Sequence, residues 1–151
     1  MDETEIVIPA LLRHSRGAYA AAIRASLADA ECDDMPRNGS YVLGGIVNHG
    51  GDASALVRQL GVSKQAASQL IDTLVARGYL ERQPNPDDRR RIAITVTERG
   101  KAAAAAIRAA VRSVDARLAE LITADELAGL RAGLIALCDI RDELELSAQR
   151  A

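Results

Sequence analysis

Polar side chains with hydrogen-bonding capacity cluster at the start of one short predicted helix. Residues 63–69 read SKQAASQ, and the side chains expected to face outward are Ser63, Lys64, Gln65, Ser68 and Gln69. Glutamine can pair bidentately with adenine and lysine can bond guanine, whereas serine can bond a base or a phosphate. The alternative interpretation is a polar solvated face, which any surface helix has.

A second candidate group is a run of three arginines, Arg89, Arg90 and Arg91, which ends a turn-rich loop. Guanidinium groups suit narrow, negative minor grooves and flanking phosphates. Internal pairing with Asp87 and Asp88 is the alternative, and the two roles are compatible. Because alternate loop residues point in opposite directions, we favour Arg90 over Arg89 at the tip. Arg91 starts the following strand and flanks the tip.

Catalytic and metal-binding chemistry is not indicated. His14 and Ser15 are adjacent in one predicted helix, so their side chains diverge by about 100 degrees and cannot form a nucleophile and base pair. His49 has no carboxylate or cysteine at ligand spacing, and the motifs GxGxxG, GxxxxGKS/T and HExxH do not occur. We therefore predict no catalytic residue, no metal ligand and no cofactor.

The two cysteines give no disulfide framework. Cys32 lies in the acidic turn ECDD, a setting that disfavours the reactive thiolate. Cys138 follows Leu137 on the last predicted helix and is expected in the core. Oxidant sensing is therefore the less favoured role for either thiol.

Composition indicates one globular domain. The chain has 151 residues, of which 48% are hydrophobic, 26% charged and 2% aromatic. The first residues, MDETEIVIPA, lack the basic start of a secretory signal, and no apolar run approaches the roughly 20 residues of a membrane span. We therefore expect a cytoplasmic protein with no membrane partner.

Charge is unevenly distributed along the chain. The net charge is −2, but residues 52–101 hold nine basic and six acidic groups, which gives +3 for that part. Phosphate attraction is local, because it is screened within about 8 Å at physiological salt. A weakly acidic protein can therefore still present a basic surface to nucleic acid.

Hydrophobic periodicity and capping residues predict the elements that position these side chains. Ser63 and Thr97 are expected to cap helices, and Thr123 with Glu126 forms a capping box. Helices are predicted at 9–30, 41–48, 53–60, 64–77, 97–122 and from 124 onward, and strands at 79–83 and 91–96. The helix pair around residues 61–63 is a helix-turn-helix, and the hairpin that follows it is a wing.

The last two helices carry apolar residues at steps of three and four. The helix at 97–122 is about 26 residues, or roughly 39 Å, which exceeds the width of one small domain. A second copy of the chain is the simplest partner for such surfaces. The apolar positions are Ile107, Val111, Val114, Leu118 and Leu121, followed by Leu127, Leu130, Leu134, Leu137 and Leu144.

Residues 55–100, ALVRQLGVSKQAASQLIDTLVARGYLERQPNPDDRRRIAITVTERG, resemble the winged helix-turn-helix core of the MarR family of bacterial transcription regulators. The resemblance rests on the order of elements, the wing loop DDRR and the strand exit Val96-Thr97. It implies a mainly α fold with a two-stranded β-wing and a helical dimerisation region from both termini. Residues 1–151 would form one domain, with 41–100 as core and 5–30 and 98–148 as dimerisation helices.

The resemblance and the polar helix together predict a homodimeric transcription regulator that binds a pseudo-palindromic duplex. A repressor released by a small-molecule effector is the expected form. Arg16, Tyr19 and Tyr41 could line an effector site and would suit an anionic aromatic compound. The alternative for the two tyrosines is packing in the dimer core. The rival function is a winged helix that serves as a protein-interaction module without an operator.

Overall fold

The computed structural model describes residues 7–49, 63–84 and 92–148 of the chain. Within them lie five helices and two strands. In chain order they are α1 (Ile8–Asp29), α2 (Gly39–His49), α3 (Lys64–Ala76), β1 (Leu80–Pro84), β2 (Ile92–Val96), α4 (Glu98–Leu121) and α5 (Ala124–Ala148). The predicted mainly α fold is confirmed, and every described element begins and ends within two residues of its predicted bounds. The predicted helix at 53–60 lies outside the described residues.

Two compact units divide the chain, residues 1–112 and residues 113–151. Each is described by itself below. The prediction of a single domain, with its core at 41–100 and dimerisation helices at 5–30 and 98–148, stays a prediction.

The predicted helix caps are confirmed. Thr97 Oγ1 accepts a hydrogen bond from the Gly100 amide at 3.0 Å, which satisfies one of the free donors at the start of α4. At α5 the Thr123 amide donates to Glu126 Oε2 at 2.8 Å, and the Glu126 amide donates to Thr123 Oγ1 at 3.3 Å. This reciprocal pair is a capping box, as the sequence predicted.

The chain leaves α3 through a left-handed glycine. Gly78 has φ +74°, and its amide donates to the Val75 carbonyl at 3.0 Å, while the Tyr79 amide donates to the Leu74 carbonyl at 2.9 Å. These two bonds define a Schellman motif, which needs a residue without a Cβ penalty at its turning point. The motif ends α3 and aims the chain directly into β1.

The two strands pair antiparallel as a hairpin. The register sets Leu80 opposite Val96, and the pairing continues to Pro84 opposite Ile92. Leu80 is buried, whereas the following four residues of β1 are exposed. On β2, Ile94 and Val96 are partly buried and pack against the core, so the hairpin joins the core through Leu80 and one face of β2.

Aliphatic and small side chains build the core of the first unit. Tyr79, Leu43, Leu74, Leu80, Val42 and Cys32 are the largest fully buried side chains. The alanines Ala103 and Ala104 of α4 join the same cluster. Small side chains let helices pack closely, and Ser26 Oγ of α1 donates to the Ala106 carbonyl of α4 at 2.9 Å.

Apolar side chains on α5 are exposed in the second unit. The exposed fractions are 44% for Leu130, 39% for Leu134 and 40% for Leu137. Cys138 is exposed too, so the expectation that it lies in the core is wrong. Its helical position was predicted correctly, but α5 buries none of its residues in the chain.

Helices long and apolar enough to cross a bilayer are absent from the part of the chain that the structure describes.

Gly100→Ala tests how closely α4 approaches the residues before β1. A Cβ on Gly100 would overlap the Tyr79 carbonyl oxygen and lie 2.7 Å from Val96 Cγ1. Because a carbonyl belongs to the backbone, α4 would have to shift, and we expect the free energy of unfolding to fall by about 1–3 kcal/mol. Urea unfolding followed by far-UV circular dichroism at matched protein concentration measures the change.

Gly17→Ala in α1 is the matched control. A Cβ on Gly17 meets no described atom within 4 Å beyond its chain neighbours and its own helix. Since alanine favours the helix, we expect this change to be neutral or to stabilise by up to about 1 kcal/mol. Similar losses in the two variants would contradict the close approach at Gly100.

Candidate nucleic-acid interface

The polar face of α3 is held outward by the core beneath it. Ser63, Lys64, Gln65, Ser68 and Gln69 are all exposed. On the opposite side Leu74 is fully buried, and Ala67, Leu70 and Ile71 pack partly buried against the core. The structure therefore brings the five predicted side chains of α3 to the surface together, at the N-terminal half of one helix.

Ser63 serves as the N-cap of α3. Its backbone is extended, with φ −64° and ψ 156°, and its Oγ accepts from the Ala66 amide at 3.2 Å. This bond fixes where the helix starts, and with it the positions of Lys64 and Gln65 in the first turn. The amide ends of that turn give the helix start a partial positive charge, which favours anions.

The wing hairpin is tied to α3 by an ion pair that the sequence did not indicate. Arg82 on β1 donates to the carboxylate of Asp72 on α3, and both side chains are more than 40% exposed. Across the hairpin, Thr95 Oγ1 donates to Glu81 Oε1 at 3.3 Å. The predicted wing-tip residues Arg89, Arg90 and Arg91 lie outside the described residues, so their role stays a prediction.

A group of polar side chains at the C-terminal end of α3, which we call the Arg99 cluster, joins four segments of the first unit. Asp34, in the connection between α1 and α2, supplies the carboxylate of the cluster. Arg99 Nη2 donates to Asp34 Oδ1 at 2.9 Å, and the Tyr79 hydroxyl donates to the same oxygen. Arg77, the C-cap of α3, donates to the Asp34 backbone carbonyl. The fifth member is Glu31, through its carbonyl.

Arg99 also bonds backbone carbonyls at the ends of two helices. Its guanidinium donates to the carbonyl of Arg77, at the end of α3, and at 3.3 Å to the carbonyl of Glu31, two residues after α1. The guanidinium carbon lies 4.4 Å from the centre of the Tyr79 ring. A cation at a helix C-terminus complements the negative end of the helix dipole, and its position over a ring adds a cation–π contact.

The pKa values of the cluster follow from these contacts. The hydrogen bond from Tyr79 lowers the pKa of Asp34, and the Arg99 guanidinium lowers it further. Burial raises the pKa of Tyr79, and the bond to the Asp34 carboxylate raises it again. The cluster therefore holds an ionised carboxylate and a neutral phenol across the physiological pH range.

The Arg99 cluster was not predicted from the sequence. Asp34 and Arg99 are 65 residues apart, and a pairing over that distance has no periodic signature. The local signals were an acidic turn at 31–34 and a cation in the first turn of a capped helix. Neither indicates the other as its partner.

The predicted effector residues lie on the first two helices. Arg16 and Tyr19 are on α1, with Arg16 exposed and Tyr19 half-buried, and Tyr41 on α2 is half exposed. Their ligand role stays a prediction. His14 is exposed and its Nδ1 donates to the Ala10 carbonyl at 2.8 Å. In the described ranges, no three His, Cys, Asp or Glu side chains group in a way that could hold a metal ion.

Comparison with known families gives a match over the segment that contains α2, α3 and β1. A model described as MarR family matches residues 33–91. The multiple antibiotic resistance protein MarR of Escherichia coli strain K12 is 34% identical over 76 residues, which is 50% of this chain. The chain matches 53% of that protein, or about half the length of the curated relative.

Solved structures extend the similarity to nearly the whole chain. RV1404 from Mycobacterium tuberculosis has a TM-score of 0.65 and 26% identity, covering 94% of this chain and 96% of its own. Wild-type MarR from E. coli has a TM-score of 0.61 and 25% identity, covering 87% and 97%.

The chain resembles the MarR family in sequence over residues 33–91 and in fold over nearly its whole length. The winged helix-turn-helix fold inferred from the resemblance is thereby confirmed. The structure of the transcriptional repressor CouR bound to a 23-mer DNA duplex shares the fold, with a TM-score of 0.68 and 22% identity over 91% of this chain and 96% of its own. We call α3 the recognition helix, after the helix of helix-turn-helix proteins that it resembles in sequence position.

Ser63→Ala tests whether the cap sets the start of the recognition helix. The change removes the acceptor of the Ala66 amide, and we expect the free energy of unfolding to fall by about 0.5–2 kcal/mol. Ser68→Ala is the control, because it makes the same chemical change at an exposed position inside the same helix and should be near neutral. Urea unfolding measures both, and a loss at Ser68 that matches the loss at Ser63 would argue against the cap.

Proposed function

We propose that this chain is a MarR-family, sequence-specific DNA-binding transcription regulator. The observation that carries the proposal is the polar N-terminal half of the recognition helix, exposed as one face and backed by Leu74 in the core. A major groove about 12 Å wide admits a helix of this size. Lys64 and Gln65, in the first turn, would reach the base edges, as in other helix-turn-helix proteins.

Charge near the recognition helix supports the proposal. Asp72 is the one acidic residue of that helix, and Arg82 pairs with it. The pair offsets a negative charge that would otherwise repel phosphates. Lys64 is in the first turn and carries positive charge where the helix dipole is also positive. Short-range attraction of this kind is compatible with a net charge of −2 for the whole chain.

The similar proteins support a role in the regulation of transcription. The E. coli relative is named for multiple antibiotic resistance, and the structure of CouR holds a repressor on duplex DNA. We therefore propose repression as the mode of regulation. A small effector that lowers DNA affinity would act on Arg16, Tyr19 and Tyr41, with an anionic aromatic compound as the proposed class. Packing of the two tyrosines in a dimer core is the alternative for those residues.

The rival function is a winged helix that binds another protein and has no operator. Both functions would use an exposed polar helix. They differ in salt dependence, because phosphate contacts release counterions and a polar protein interface releases far fewer.

The DNA test begins with selection of bound duplexes from a random pool by the wild-type chain. Binding of the variants to the selected duplex is then measured at several salt concentrations. Arg90→Ala should weaken binding to all sequences and reduce the salt slope by about 1. Gln65→Ala should cost about 1–3 kcal/mol at one base position and relax the preference there.

The two lysines of the chain provide a matched control. Lys64→Ala should weaken binding, whereas Lys101→Ala should leave it unchanged, because Lys101 lies on α4 and pairs with Glu98 at 2.6 Å. Sequence-blind losses of equal size from Gln65→Ala and Arg90→Ala would contradict base reading by Gln65. A wild-type chain without salt-dependent binding to any duplex would overturn the proposal in favour of the protein-interaction module.

A homodimer is part of the proposal, and α5 motivates it. Leu130, Leu134, Leu137 and Leu144 follow one another at helical spacing and are 39–66% exposed. Burial of a leucine side chain is worth about 1.5–3 kcal/mol, so a second copy would gain from covering this face. Analytical ultracentrifugation should give a dimer at micromolar concentration. In that dimer we expect the two recognition helices to lie about 34 Å apart, on one face of a duplex.

Leu134→Asp should shift the wild-type dimer toward monomer and weaken DNA binding, because a carboxylate on this face would be desolvated in the dimer. Leu134→Met is the control, since it keeps volume and apolar character. A stable monomer that still binds duplex DNA tightly would contradict the dimer.

A further inference from the structure

We propose that Arg99 positions the recognition helix for DNA binding by holding the C-terminal end of that helix to the connection between α1 and α2. The inference rests on the proposed DNA binding and names residues that act on it from outside the DNA-facing surface. Arg99 and Asp34 are thus positioning residues for DNA binding.

The contacts of Arg99 join three separate parts of the first unit. Its side chain extends from α4 and donates to the carboxylate of Asp34, to the carbonyl of Arg77 and to the carbonyl of Glu31. Arg77 in turn donates to the backbone carbonyl of Asp34. Because Arg77 bonds the connection directly and Arg99 bonds both the connection and the end of α3, neither segment can rotate without breaking several of these bonds.

The Arg99 cluster fixes the orientation of the segments that it joins, and it adds little to the stability of the fold. The side chains of Arg99 and Asp34 are 39% and 42% exposed, and an ion pair at such a site contributes little to stability. A planar guanidinium, however, offers five donors in a fixed plane and can lie over an aromatic ring at the same time. The Tyr79 ring, which is fully buried, is the surface against which that plane is set.

The cluster also links the DNA-facing helix to the helices that we propose for dimerisation. Glu31 and Asp34 lie two and five residues after the end of α1, and Arg99 is the second residue of α4. A shift of α1 relative to α4 would therefore displace the C-terminal end of the recognition helix. Such a connection between distant sites is an energetic coupling, and substitutions along it change affinity without touching the ligand.

The experiment compares Arg99→Lys and Asp34→Asn with wild type on the duplex selected above. Arg99→Lys keeps the charge but loses the planar fork, so we expect DNA affinity to fall by roughly 2- to 30-fold with the salt slope unchanged. Arg108→Lys, at an exposed position of the same helix, is the control and should bind as wild type.

Asp34→Asn separates an effect of charge from an effect of positioning, because the two explanations predict opposite changes in DNA affinity. Removal of a negative charge would tighten DNA binding if charge alone mattered, whereas loss of positioning should weaken binding by a similar factor of roughly 2 to 30. Asp33→Asn removes the same charge one residue away and should leave binding unchanged or slightly tighter. Melting followed by circular dichroism confirms that each variant is folded at the temperature of the assay.

Amide hydrogen exchange at residues 74–79 gives a readout that does not depend on DNA. We expect faster exchange there in Arg99→Lys and Asp34→Asn than in their controls. If wild type binds duplex DNA and both variants match it in affinity, the positioning role is overturned and the proposed function stands. Tighter DNA binding by Asp34→Asn would overturn it as well, because removal of a negative charge would then explain the whole effect.

If wild type binds no duplex, the proposed function fails and the positioning role in DNA binding fails with it. Exchange would still report whether the cluster orders the end of α3, so the two failures are distinguishable. A variant that unfolds is replaced by Tyr79→Phe, which removes only the hydroxyl bond to Asp34 and keeps the buried ring. Wild-type affinity and wild-type exchange in that variant would count against the role of the carboxylate.

Discussion

The backbone at Gly78 and Tyr79 must serve two helices and a strand at once, and the rest of the first unit is arranged around that requirement. The amides of these residues close α3, and the Tyr79 carbonyl accepts from both the amide and the hydroxyl of Thr97. Helix α4 begins directly after Thr97 and passes so near this carbonyl that Gly100 has no room for a Cβ. The exit of α3, the base of the wing and the start of α4 are therefore fixed by one short segment.

Local signals explain why much of this arrangement could be predicted from the sequence. A cap such as Ser63 or Thr97 acts within three residues, so the residues that make the bond are adjacent in the printed chain. The same holds for the Thr123 and Glu126 box and for the glycine that ends α3. Element bounds and the outward face of the recognition helix depend on such short-range chemistry and on helical periodicity.

Contacts between distant residues could not be predicted in this way. The Tyr79 hydroxyl meets Asp34 from 45 residues away, and the pairing of Asp72 with Arg82 depends on how the hairpin lies beside α3. Periodicity also shows that a helix face is apolar without showing what covers it. For that reason the spacing of leucines on α5 was recognised correctly, while Cys138 beside them was placed in a core that the chain does not form there.

The two ends of the recognition helix have opposite electrostatic character, and we propose that they have separate roles in DNA binding. The N-terminal end combines free amides, the positive end of the helix dipole and Lys64, all of which attract phosphate. At the C-terminal end the Arg77 carbonyl accepts a hydrogen bond from Arg99, which also pairs with the nearby carboxylate of Asp34. A helix that approaches a groove with one end gains specificity only if its other end is held, since a freely rotating helix would present Gln65 to several base positions. In this proposal the contacts of Arg99 hold one end of the helix so that the polar side chains at its other end can read bases, although no residue is shared between the two ends.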